Sequence, residues 1–158
     1  MGTLWTVAVP LGNDRDLSPR AAEILARADL VLAEDTRRAG LLLSRLGIAA
    51  RGFLSLHDHN EEARVDRVLA VLDAGRDAAL VSDAGTPLLS DPGFRLVRAC
   101  RAAGHRVSPI PGPSALTAAL SAAGLPPQPC VFLGFLPRKA GEARAALARF
   151  GNTGATLA

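Results

Sequence analysis

The side chains able to hydrogen-bond a ligand or move a proton gather in a few short stretches of the sequence. The richest is "SDAGTPLLSDPG" (82–93), between the apolar run "AALV" (78–81) and the helical "FRLVRAC" (94–100). A strand-to-helix turn needs only about two to six residues, so this loop does more than reverse the chain. Asp91 with Pro92 matches a helix cap followed by proline at the first helical position. Asp83 leaves its strand with no helix to cap. Beside Gly85 and Thr86 it is placed to accept hydrogen bonds from a ligand's amine or ribose hydroxyls.

Two further loops, "VPLGNDRDLSP" (9–19) and "PIPGPSAL" (109–116), are equally rich in Gly, Pro and small polar residues. The second sets bare backbone N–H groups and Ser114 at a helix start, where an anionic or polar ligand edge docks. Neither G-x-G-x-x-G nor a phosphate-binding P-loop occurs, so no nucleotide fingerprint points to NAD or ATP. In "AEDTRR" (33–38), one of Glu34 and Asp35 caps the next helix while the other faces the cleft, and Thr36 is a further cap candidate. In "LHDHNE" (56–61), two-residue alternation puts His57 and His59 on one strand face. Zinc needs a third protein ligand. Asp58 points the other way, so no metal is expected.

The elements that must position these residues alternate. Strands are read at 4–9, 30–33, 53–56, 78–81 and 106–110, mostly as near-continuous apolar runs. Such runs belong to parallel strands covered on both faces. Ser18 followed by Pro19 opens the first helix, and Asn60 opens another in which Val65, Val68, Leu69 and Leu72 form one apolar face. Gly47, Gly75 and Gly104 follow helices as stops. Five βα units imply an α/β fold, a mostly parallel sheet with helices on both faces. The sequence reads as one α/β domain over 1–124, a Pro-rich linker at 125–129 and the start of a second α/β domain over 130–158. That last part opens on the strand "CVFLGFL" (130–136), followed by a basic amphipathic helix at 139–150. With little of its own domain present, this strand's open edge is expected to pair with another chain or lose order.

Composition sets outer limits. The 158 residues are 49% hydrophobic, which argues against a disordered chain. No apolar run approaches the roughly 18 residues of a membrane helix. The start lacks a basic n-region and a cleavage signature, and Cys100 and Cys130 read as reduced thiols. These features point to the cytoplasm. Of 18 basic side chains only Lys139 is not Arg. Arg suits phosphate and stacked bases, so an RNA partner is permitted.

The ordered stretches "VAVPLGNDRDLSPRA", "ADLVLAEDTRR", "LHDHNE", "ALVSDAGTPLLSDPGFRLVRA", "PIPGPSALTAALSAAGLP" and "FLGFLPRK" resemble one family. It is the bacterial small-subunit ribosomal RNA (cytidine-2′-O)-methyltransferases, of the tetrapyrrole-methylase-like class. The resemblance implies S-adenosylmethionine in a cleft between two α/β domains, usually a homodimer, and methylation of a cytidine ribose in ribosomal RNA. By motif it carries the cofactor to Leu11, Asp83, Gly85, Thr86, Ser114 and Ala115, mostly through backbone atoms. Asp14 is a departure, standing where the family usually has an apolar residue. Family members are also considerably longer, so the resemblance implies an open cleft and lost catalysis for these 158 residues alone.

Methyl transfer to a 2′-hydroxyl is helped by a base, and the candidates are Asp35, Glu34 and His57, in that order. Arg37, Arg38, Arg138 and Lys139 are candidates for RNA phosphate contacts. Two alternatives stand beside this reading. One is a methyltransferase acting on a tetrapyrrole carbon, disfavoured because those relatives resemble "G-x-G-P-G" where this chain has "PLGND". The other is a non-catalytic RNA-binding scaffold.

Overall fold

A computed structural model describes residues 1–158 as two compact units, Met1–Pro113 and Ser114–Ala158. The first unit is built on five strands: β1 (Thr3–Val7), β2 (Leu30–Ala33), β3 (Phe53–Ser55), β4 (Ala78–Leu80) and β5 (Arg106–Ile110). They form one parallel sheet in the order β3-β2-β4-β1-β5. Four helices cover it: α1 (Pro19–Arg27), α2 (Thr36–Arg45), α3 (Glu61–Asp73) and α4 (Phe94–Ala102). The α/β architecture expected from the alternating runs is the one observed.

Strict alternation along the strands divides the core in two. Val31, Ala33, Ala79 and Val81 pack with Ile24 and Leu25 of α1 and Ala39 and Leu43 of α2. Leu30, Leu32, Ala78 and Leu80 pack on the opposite face with Val68 and Leu72 of α3 and Leu96 and Cys100 of α4. Leu4, Leu25, Leu32, Leu72 and Leu80 are essentially sealed from solvent. Burying each stabilises the fold by about 1.5–3 kcal/mol before conformational entropy is charged against it.

Strand order decides where a ligand can sit. After β1 the chain crosses to β2 on one side, and after β4 it crosses to β5 on the other. Between these two strands the connections part, which is where open α/β sheets leave a crevice at their carboxyl ends.

Helix starts follow local chemistry where local chemistry is sufficient. Ser18 Oγ accepts the Ala21 N–H at 3.1 Å, with Pro19 in the first turn. Of the cap candidates for α2 it is Asp35, not Thr36, that serves, accepting from the N–H groups of Arg37 and Arg38. The cap expected for α4 is corrected. Asp91 does not cap α4. Gly93, at φ +122°, occupies the cap position with no side chain to offer. The cap comes instead from Glu61 on α3, a buried carboxylate that accepts the Leu96 N–H at 2.8 Å.

The second unit contains α5 (Ala115–Ala122), β6 (Cys130–Val131), α6 (Ala140–Gly151) and β7 (Thr156–Leu157). The strand expected over 130–136 is shorter, and its edge is paired within the chain, parallel to β7. Leu133 N–H extends the pairing to the carbonyl of Ala158. No helix of the chain is long and apolar enough to cross a membrane.

Candidate functional site

The loop after β4 folds back toward the end of β1. Val9 and Gly85 exchange both backbone hydrogen bonds, at 2.9 and 3.0 Å. Thr86 Oγ1 donates to the carbonyl of Pro113 at 2.9 Å, and Ser82 Oγ donates to Ala84 and Gly85. Gly85 is required here: its φ is +80°, and a Cβ would lie 3.0 Å from Leu11 Cδ2. Leu88 and Ser90 also take positive φ, at 73° and 69°. Non-glycine residues in that region store about 1–3 kcal/mol each, and such strain gathers at ligand loops. Leu88 offsets its share by packing on the α3–α4 side of the core.

This loop and the loop after β1 form two sides of a cleft of about 260 Å³, with α2 as the third. Leu11 and Asp83, both expected as ligand residues, line it. Gly85 and Thr86 lie behind Asp83 and fix the path of its loop. Ser114 and Ala115 belong to the second unit, where Ser114 stands at the cap position of α5 without a side-chain cap bond and Ala115 is the first helical residue.

The cleft is lined by paired charges. Arg38 Nη1 donates to Asp83 Oδ2 at 2.8 Å. Arg45 grips Asp14 with two bonds, Nε to Oδ2 at 2.9 Å and Nη2 to Oδ1 at 3.1 Å, and holds the Asp14 carboxyl below its ordinary range. Asp14, the departure from the family pattern, therefore has a partner in this chain. Neither arginine partner was legible beforehand. Arg38, a phosphate candidate by sequence, is set on a carboxylate 45 residues away. Arg37 is bonded to Asp35 and Lys139 to Glu142.

The candidate bases fare differently. Asp35 is occupied by its cap and by Arg37, whose guanidinium and backbone N–H pull its pKa down to about 2. That makes it a weak proton acceptor at neutral pH. His57 and His59 do not lie on a strand, because β3 ends at Ser55 and a turn follows. The Asn60 side chain closes that turn on the His57 N–H at 2.9 Å. The two rings still meet edge to face, 6.1 Å apart. Asn60 Nδ2 lies 2.9 Å from His57 Nε2 and donates to it, so the proton belongs on Nδ1 and the free lone pair is taken. Glu34 is exposed just beyond β2.

A residue assigned to capping joins them. Asp91 has its pKa raised to about 6, first by burial and then by the nearby charges of Glu34 and Asp83. A raised carboxyl within a strained loop at the crevice is the pattern of a proton-handling group. The only signal in the sequence was its place in the loop.

Residues 3–158 match the family described as Tetrapyrrole (Corrin/Porphyrin) Methylases. The chain belongs to that family. Within it, the chain is 55% identical over 146 residues to the Ribosomal RNA small subunit methyltransferase I of Escherichia coli O157:H7, covering 92% of this chain and 51% of that protein. It is 54% identical over 156 residues to the same-named protein of Xylella fastidiosa strain Temecula1, covering 99% of this chain and 57% of that one. The chain thus spans about half the length of the curated relatives it matches. Among solved structures it is similar to a uroporphyrin-III-C-methyltransferase from Thermus thermophilus, with a TM-score of 0.58 and 28% identity. That match covers 80% of this chain and 53% of the other.

The donor set suits the cofactor that family membership implies. Leu11 offers an apolar contact and Asp83 an acceptor for amine or hydroxyl donors, while Gly85, lacking a Cβ, lets its loop approach Leu11 closely.

Proposed function

We propose that the chain carries the cofactor-binding part of an S-adenosylmethionine-dependent enzyme. Its reaction is methylation of the ribose 2′-hydroxyl of a cytidine in small-subunit (16S) ribosomal RNA. The observation that carries the substrate class is the identity contrast. About half the residues are shared, over nearly the whole chain, with proteins named for small-subunit ribosomal RNA. Only 28% are shared with a tetrapyrrole methyltransferase of the same fold. In this reading residues 1–124 form the methyltransferase domain, 125–129 a linker and 130–158 part of a second α/β domain. The enzyme works in the cytoplasm as a homodimer.

Leu11, Asp83, Gly85 and Thr86 of the first unit hold the cofactor, which when bound supplies an electrophilic methyl group on a sulfonium sulfur. The protein's own tasks are to orient the ribose and to take the hydroxyl proton. Orientation supplies much of the rate when the donor is already activated. For the proton, Asp91 is the best matched group, since a base is most effective with a pKa near the working pH. Glu34, close enough to raise Asp91, helps keep that carboxylate proton-hungry.

The test is methyl transfer from tritiated S-adenosylmethionine into small-subunit RNA, with the labelled nucleoside identified by mass. Label recovered as 2′-O-methylcytidine supports the reading. Label in a uroporphyrinogen and none in RNA would establish the tetrapyrrole alternative instead.

A further inference from the structure

One face of α2 does more than cover the sheet. Arg38, Leu41, Leu42 and Arg45 recur at i, i+3, i+4 and i+7, so they share a side of the helix, and all four line the cleft. The opposite side, through Ala39 and Leu43, is buried on the sheet and fixes the helix in place. From this anchored helix two guanidinium groups reach two different loops: Arg45 takes Asp14 of the β1 loop with a two-bond fork, and Arg38 takes Asp83 of the β4 loop.

We infer that α2 is a positioning helix for the cofactor loops, Arg45 holding the β1 loop through Asp14 and Arg38 holding the β4 loop through Asp83. The inference rests on the cofactor reading given above and deepens it. Between Pro10 and Leu17, which packs on the core, the β1 loop has little else to fix it. Val9 and Pro10 are buried, but Leu11, Gly12 and Asn13 after them are exposed. A single 3₁₀ turn over Asp14–Asp16 follows, capped by Asn13. Asp14 is the first residue of that turn, so gripping its carboxylate sets the turn and, through Gly12, the height of Leu11 in the cleft. A planar fork with two bonds fixes direction as well as distance, which a lysine ammonium does not.

Because Arg45 and Asp14 are both well exposed, the pair is screened by salt and adds little to global stability. Its effect falls on the loop. The test uses the 158-residue chain and S-adenosylhomocysteine, which has no net charge and so brings little salt dependence of its own. Arg45→Ala is expected to leave the melting temperature unchanged and to weaken S-adenosylhomocysteine binding about threefold at low ionic strength. In the ligand-free chain it speeds hydrogen exchange at the Asp16 and Leu17 amides, which bond to Asn13 and Asp14 carbonyls. Both differences disappear near 1 M salt, where the screening length is about 3 Å. Arg45→Lys falls between, and Asp14→Ala with Arg45→Ala together is no worse than either alone.

Unchanged affinity in Arg45→Ala at low salt, or an effect that persists at 1 M salt, overturns the inference. Wild-type chain that fails to bind S-adenosylhomocysteine at all overturns the cofactor reading and the inference with it. Binding that is indifferent to Arg45 overturns the inference alone.

Discussion

Glu61 Oε1 accepts the backbone N–H of Leu96 at 2.8 Å, joining the first turn of α3 to the first turn of α4. The carboxylate is only 4% exposed. Its negative charge lies at the positive end of a helix whose own cap residue is glycine.

Removing that acceptor leaves a buried N–H without a partner. Glu61→Ala is expected to cost about 1–3 kcal/mol in urea unfolding. Asp91→Ala, by contrast, removes no cap. Equal losses for the two variants would return the capping role to Asp91.

Asp91 gives a prediction in pH. Folded, it keeps its proton up to about 6, whereas the unfolded chain releases it near 3.8. Between those values the folded state binds the extra proton, so this group's contribution to stability falls as pH rises from about 4 to 6 and stays low above. Asp91→Asn should therefore be more stable than wild type at pH 7.5, by about 1–2 kcal/mol, with the gain fading below pH 4. Carried in an enzyme of the relatives' full length, the same substitution should abolish methyl transfer. A variant that is stabilised yet fully active would remove Asp91 from proton transfer.

Asp35 behaves in the opposite sense. Its pKa is depressed to about 2 by Arg37 and the helix N–H groups. Its stabilising effect is present above pH 3.8 and is lost as pH falls toward 2. Asp35→Asn, followed by circular dichroism, should differ from wild type at pH 6 and converge with it near pH 2.

Ser90 tests the strain in the ligand loop. With φ at 69°, it holds a conformation that glycine adopts freely. Ser90→Gly is expected to raise the thermal midpoint by the equivalent of about 1 kcal/mol. A drop would mean that the Ser90 side chain contributes an interaction that outweighs the backbone strain.

These outcomes mark what the sequence could show. All five parallel strands, the Ser18 cap and the apolar face through Val68 and Leu72 were legible because each rests on neighbours a few residues apart. Asp83, Gly85 and Thr86 stood out because no turn needs a loop of that composition. What escaped the sequence depends on backbone path and distance. Asp91 was misread because Ser90 and Gly93 turn the chain through positive φ and start α4 at Phe94. Glu61 and Arg38 reach partners 35 and 45 residues away, which no local pattern encodes. His57 and His59 were placed on a strand because alternation is blind to a turn closed by an Asn side chain.

The account turns on the claim that the loop after β4 holds the cofactor through Asp83. The direct measurement is calorimetric titration of S-adenosylhomocysteine into the wild-type chain and Asp83→Ala, with Asp91→Ala as the neighbouring control. A loss of about 1.5–3 kcal/mol confined to Asp83→Ala, with the fold intact by circular dichroism, is the predicted result. Equal affinity in wild type and Asp83→Ala would contradict it.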